Sequence, residues 1–171
     1  MKIIFLDIDG VFCFGFEDEQ GKTRFEEPQI QNLKQILEQT SAKIVISSSM
    51  RKETIYKAFE RFDLPLPIDF TPTWYGKPRE GWNPRDEEIS QWVKEHPEID
   101  DWVMIDDDFL HLDPARFFRT FWYKDLVAYR IANNIEDHEN IPQDLLEKIG
   151  LTKEITERII SYLNNKDRNV D

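Results

Sequence analysis

The sequence predicts an α/β fold in which a parallel central sheet carries helices on both faces. Three observations predict it. Short unbroken apolar runs recur at residues 3–6, 43–46 and 102–105. Stretches with apolar residues at helical spacing separate them. Each run ends in a polar cluster: Asp7-Ile8-Asp9, Ser47-Ser48-Ser49 and Asp106-Asp107-Asp108. Apolar runs this short suit strands buried on both faces. Their alternation with helices implies parallel pairing. Ligands in such sheets gather at the carboxyl ends of the strands, so the three clusters are expected to meet at one edge.

The elements follow in order. The first apolar run is too short for a signal-peptide core and lacks a small-residue cleavage site, so it reads as a strand and the protein as cytoplasmic. Residues 12–26 hold Gly15, Gly21 and alternating Phe12, Phe14 and Phe16, the pattern of a hairpin flap. Pro28 can open a helix whose buried stripe is Ile30, Leu33, Ile36 and Leu37. Ile55, Ala58, Phe59 and Phe62 form a second stripe. Residues 64–83, rich in proline with Trp74, Tyr75 and Trp82, read as a loop. Asn83-Pro84 is a helix start, with Asn as cap and Pro in the first turn, and Ile89, Trp92 and Val93 mark its buried face. Further helical patterns cover residues 126–132 and 145–149, then Ile155, Ile159, Ile160 and Leu163. The expected organisation is one domain over 1–164 and a polar tail at 165–171.

Composition bounds the function. With 171 residues, 40% of them hydrophobic and 13% aromatic, the chain can bury a substantial core. No apolar run is long enough to span a membrane. Cys13 is the single cysteine, so no internal disulfide forms; it reads as a small packed residue. The net charge of −12 argues against an extensive duplex nucleic-acid surface, though a nucleotide or one nucleic-acid end needs only a few local cations. His96, His111 and His138 are far apart and suggest no zinc site.

The chemistry starts at Asp7-Ile8-Asp9-Gly10-Val11. Two carboxylates one residue apart at a strand end can point into one site and suit a hard, oxygen-loving cation such as Mg²⁺. Gly10 lets the chain turn sharply. An apolar strand running into D-x-D-G-V resembles the first motif of the haloacid dehalogenase (HAD) superfamily. The resemblance implies a Rossmannoid three-layer sandwich. It also implies Mg²⁺ as cofactor, Asp7 as a nucleophile that forms an aspartyl-phosphate, and Asp9 as the acid and base.

The remaining HAD motifs have matches. The second is a strand-end hydroxyl: Ser48 fits the spacing best, Ser47 comes second, and Ser49 and Arg51 flank them as candidate phosphate contacts, Arg51 reading equally as a residue of the first helical turn. The third is a cation near the start of the next helix: Arg85 matches, with Lys77 and Arg79 as rivals on the preceding loop. The fourth is the acidic pair that completes the metal site with Asp7 and Asp9; Asp106-Asp107-Asp108 matches it, with Asp106 or Asp107 as the metal ligand. The runs around Ser47-Ser48-Ser49-Met50-Arg51, Pro84-Arg85-Asp86 and Asp106-Asp107-Asp108, with Gly150-Leu151-Thr152 opening the last helix, are similar to a small HAD branch associated with RNA-repair proteins. Members of that branch usually carry Trp where this chain has Met50. Residues 121–149 exceed that pattern and read as a helical insertion.

Neither interval after the first two motifs has room for a large cap, which leaves a site open to large substrates. The resemblance implies a Mg²⁺-dependent phosphomonoesterase acting on a phosphorylated small molecule, a nucleotide or a nucleic-acid terminus. Trp74, Tyr75 and Trp82 can stack on a base or pack their own loop onto the domain. The alternative is a non-catalytic or phospho-acceptor regulatory domain on the same fold. Receiver domains place their acceptor Asp after a middle strand, whereas here that strand ends in serines.

Overall fold

A computed structural model describes residues 1–15, 22–50, 52–121 and 142–165. Five parallel strands form one sheet in the order β3-β2-β1-β4-β5. They are β1 (Lys2–Leu6), β2 (Lys43–Ile46), β3 (Asp69–Phe70), β4 (Asp101–Asp106) and β5 (Phe117–Arg119). The helices are α1 (Glu27–Thr40), α2 (Lys52–Arg61), α3 (Pro84–Glu95), α4 (Gln143–Leu146) and α5 (Lys153–Asn164).

Strand alternation builds two cores from one sheet. Ile4, Leu6, Ile44, Ile46, Val103 and Ile105 face a cluster with Leu33 and Ile36 of α1, Ile55 and Phe59 of α2, and Ile155 and Ile159 of α5. Ile3, Phe5, Val45 and Met104 face the other way, onto Ile89 and Trp92 of α3. Phe5 meets Trp92 edge-on at 5.3 Å. Helices thus cover both faces, giving the expected three layers, and no large cap stands among the described residues. Because β1 and β4 are buried on both faces, they read as continuous apolar runs rather than alternating ones.

Two elements depart from expectation. Residues 64–83 are not wholly loop, since β3 pairs with β2 there as an edge strand. β5 was not anticipated at all. The expected flap at 12–26 falls partly outside the described residues; of its described part, Phe12 and Phe14 are buried in the domain. Most of the expected insertion at 121–149, including the helical pattern at 126–132, lies outside the described residues, as do His138, Arg51 and 166–171 of the tail. The last helix starts where the Gly-Leu-Thr signal puts it: Thr152 caps α5 by accepting from the Ile155 N–H. No described helix is long and apolar enough to cross a membrane.

Candidate active site

The register levels the strand ends. Leu6 pairs with Ile46 on one side and Ile105 on the other, so Asp7, Ser47 and Asp106 follow at the same height. The ladder continues one step further: the Asp7 N–H donates to Ile105 O at 3.0 Å, and the Ser47 N–H to Leu6 O at 2.9 Å. All three clusters therefore open onto one edge of the sheet.

Carboxylate oxygens of Asp7, Asp106 and Asp107 lie within 4.8 Å of one another. Asp7 and Asp106 are buried, and Asp107 is half-buried. Arg85 bridges the first two, with Nη1 3.3 Å from Asp7 Oδ1 and Nε 3.5 Å from Asp106 Oδ2. Burial raises the Asp7 carboxyl to about 6, against the opposing pull of Arg85 and hydrogen bonds from the Ser48 side chain and the Ile8 backbone. Burial, then the Asp7 charge, raises Asp106 to about 8, with Arg85 opposing. Burial works against the Arg85 charge, but the carboxylates of Asp7 and Asp106 more than offset it.

This donor set fits a divalent cation. Three hard oxygen donors converge, and Asp106 Oδ2 is buried without a hydrogen-bond partner. A cation would offset the burial that chiefly raises both carboxyls and the repulsion among the three acids, and Mg²⁺ takes such oxygen ligands.

Other expected residues stand as follows. Ser48 lines a cleft of about 460 Å³ beside the cluster, together with Ser49 and Arg85. Ser47 is buried, and its Oγ lacks a partner. The Asp9 side chain stands outside the carboxylate group, where its Oδ1 accepts from Cys13 Sγ at 3.2 Å. The Cys13 thiol is pushed up by burial and by Asp9, so it stays protonated and acts as the donor. Lys77 is exposed and does not line the cleft. Arg79 pairs with Glu87 at 3.1 Å and lies over the Trp82 ring. Trp74 folds against Gly76, Tyr75 projects into solvent, and none of the three aromatics lines the cleft. His96 stacks on Trp92, and His111 is exposed.

Sequence reasoning missed the residues that hold this arrangement. Asp86 is fully buried and accepts the N–H groups of Asn83, His111 and Leu112 at 3.0, 2.8 and 3.0 Å. Asn83 Oδ1 in turn accepts the Asp86 N–H, closing a capping box. Glu87 accepts the Arg79 N–H, and Glu88 the Trp74 N–H, each at 2.9 Å. Three consecutive acids near the start of α3 thus tie three neighbouring segments to the helix that carries Arg85. The Asn83 to Asp86 spacing was the available signal for the first of them. Thr120, whose hydroxyl donates to Gly10 O at 2.9 Å, had none.

Residues 3–135 match the family described as the HAD domain in Swiss Army Knife RNA repair proteins. No curated protein matches. Two solved structures resemble the chain. One is a Vibrio cholerae protein provisionally assigned as a 3-deoxy-D-manno-octulosonate 8-phosphate phosphatase, at 14% identity and TM-score 0.44, with 99% of this chain and 86% of that one covered. The other is a Legionella pneumophila protein provisionally assigned as a HAD superfamily subfamily III A hydrolase, at 15% identity and TM-score 0.44, with 96% and 84% covered. The match over most of the chain, on a sheet whose strand ends bring Asp7, Ser48, Arg85, Asp106 and Asp107 together, shows that the chain belongs to the HAD domains of Swiss Army Knife RNA repair proteins.

Proposed function

We propose that the protein is a Mg²⁺-dependent phosphomonoesterase that works through an aspartyl-phosphate on Asp7. The observation that carries this reading is Arg85 bridging Asp7 and Asp106 beside Asp107, at the strand edge where ligands of such sheets bind. Asp7, Asp106 and Asp107 would hold the cation; Asp9, also expected from sequence as a ligand, has its side chain outside that group and is left to the proton transfers. When bound, Mg²⁺ supplies positive charge that offsets repulsion between the nucleophile and the phosphate.

The chain's own residues account for the remaining steps. An Asp7 oxygen attacks phosphorus as the bond to the ester oxygen breaks. Asp9 donates a proton to that oxygen, releasing an alcohol. Asp9, now a carboxylate, takes a proton from water, whose oxygen attacks phosphorus. The Asp7–phosphorus bond breaks and inorganic phosphate leaves. Ser48 donates to the phosphoryl oxygens, and the Arg85 guanidinium stabilises their charge. Ser47, Ser49, Arg51 and Lys77 are the supporting phosphate contacts expected from sequence. The family's description supports nucleotides or nucleic-acid termini as substrates.

The test is phosphate release from an aryl phosphate, with Mg²⁺ or with EDTA, for wild type and Asp7→Asn. Release that needs Mg²⁺ and is lost in Asp7→Asn is expected. A folded wild type that releases nothing from the aryl ester, or from a panel of nucleotides and end-phosphorylated oligonucleotides, would sink the reading.

A further inference from the structure

The cleft beside the carboxylate cluster has a composition of its own. It opens between the loop after β2, the segment after β3 and the N-terminus of α3. Its walls carry the hydroxyls of Ser49, Thr71 and Thr73, and no hydrogen bond engages the two threonine hydroxyls among the described residues. Glu88 and Asp108 also line it, and each carboxylate has one oxygen held by a backbone N–H, of Trp74 and Phe109 respectively. Among its described lining residues Arg85 is the one cation, and that guanidinium is already shared between Asp7 and Asp106. None of those lining residues is aromatic.

From this we infer that the cleft is the leaving-group subsite, that it takes a neutral, multiply hydroxylated group, and that Glu88 selects against a second phosphate. The inference rests on the phosphatase reading above and narrows its substrates to monophosphates, away from nucleic-acid termini, whose neighbouring phosphodiester would meet the same carboxylates. Hydroxyl and carboxylate walls pair with alcohol groups, because carboxylates accept and threonine hydroxyls both donate and accept. A sugar and the ribose of a nucleoside present the same chemistry. A second phosphate in the cleft would instead face two carboxylates with no uncommitted cation among the described lining residues, and like-charge juxtaposition is a strong source of rejection. Glu88 is well placed for this role. It sits one turn beyond Arg85 on α3, near enough for its charge to act on that guanidinium, and its Oε1 is fixed by the Trp74 N–H.

The experiment compares kcat/KM, with Mg²⁺, for an aryl phosphate, sugar monophosphates, nucleoside monophosphates, and the corresponding sugar and nucleoside bisphosphates. Wild type is expected to favour monophosphates over the matching bisphosphates by about tenfold or more, the scale of one like-charge contact at a partly solvated site. Glu88→Gln, which keeps an acceptor for the Trp74 N–H, is expected to narrow that ratio to about threefold or less; Asp108→Asn is the second variant, expected to narrow it as well. The sugar and nucleoside arms show which source of hydroxyls the cleft prefers. Bisphosphates turned over as well as monophosphates, or a ratio unmoved in both folded variants, would overturn the inference while aryl-phosphate turnover keeps the phosphatase reading intact. Absence of aryl-phosphate turnover in wild type would overturn both.

Discussion

Asp86 Oδ1 accepts the backbone N–H of His111 at 2.8 Å, joining the first turn of α3 to the loop that follows β4. The same oxygen takes the Leu112 N–H, and the other takes the Asn83 N–H. Asp86 therefore fixes Arg85, its neighbour on the helix, relative to the strand that ends in Asp106. Asp86→Ala would leave three backbone donors without this carboxylate, two of them on the loop after β4. Losing hydrogen bonds to a buried charged group is expected to cost about 3 kcal/mol. For a chain of this size that is roughly 6–12 °C in Tm. Calorimetry measures it, and a shift under about 2 °C would contradict the anchoring role.

Gly150 gives a second stability prediction. Its φ is +63°, and a Cβ there would stand 2.5 Å from both Phe14 Cζ and the Val11 carbonyl oxygen. The Val11 oxygen cannot yield easily, because it accepts the Leu151 N–H at 3.1 Å. Gly150→Ala combines left-handed strain with overpacking, for a loss of about 3 kcal/mol. A thermal melt close to wild type would show that the α5 entry adapts.

These two sites mark the boundary of what the sequence disclosed. β1, β2 and β4 were legible because burial on both faces leaves continuous apolar runs, and α3 because Asn83-Pro84 is a local cap signal. β3 and β5 were not. Asp69–Phe70 and Phe117–Arg119 are edge pieces too short to show a period of two, and their neighbours across the sheet supply the pairing. At the site, Asp7, Ser48, Arg85, Asp106 and Asp107 follow recognisable strand ends and one helix start, and the structure brings them together. Asp86, Glu87 and Glu88 stand near the start of α3, where the helix dipole favours acids in any case, so their residue types alone carry no signal of a distant partner. Their backbone partners at His111, Arg79 and Trp74 are distant in sequence and leave no local trace.

The choice between Arg85 and Lys77 as the phosphate-binding cation is open to direct measurement. Arg85 touches two of the cluster carboxylates, while Lys77 is exposed and away from the cleft lining. Arg85→Ala is expected to lower kcat/KM on an aryl phosphate by about 10²–10³, the scale of losing one preorganised charge donor. Arg85→Lys restores the charge but not the forked reach, so it should recover only part of that loss. Lys77→Ala is expected to change it by less than about threefold. A larger loss in Lys77→Ala than in Arg85→Ala would reverse the assignment.

The two raised carboxyls make a pH prediction with a definite sign. Between the usual carboxylate value of 3.8 and the folded values of about 6 for Asp7 and about 8 for Asp106, the folded protein holds protons that the unfolded chain has released. Stability contributed by these groups therefore falls as pH rises through that window. In EDTA, Asp106→Asn, which cannot ionise, is expected to gain in Tm relative to wild type as pH rises from about 5 to about 8. Mg²⁺ reverses the ranking at pH 8. Cation binding requires the deprotonated carboxylates and displaces their protons, so wild type gains more from Mg²⁺ at pH 8 than at pH 5, and Asp106→Asn gains little at either. Melts of both proteins across this range, with and without Mg²⁺, decide the matter. A wild-type gain from Mg²⁺ that is the same at both pH values, or that survives in Asp106→Asn, would place the cation away from the cluster of Asp7, Asp106 and Asp107.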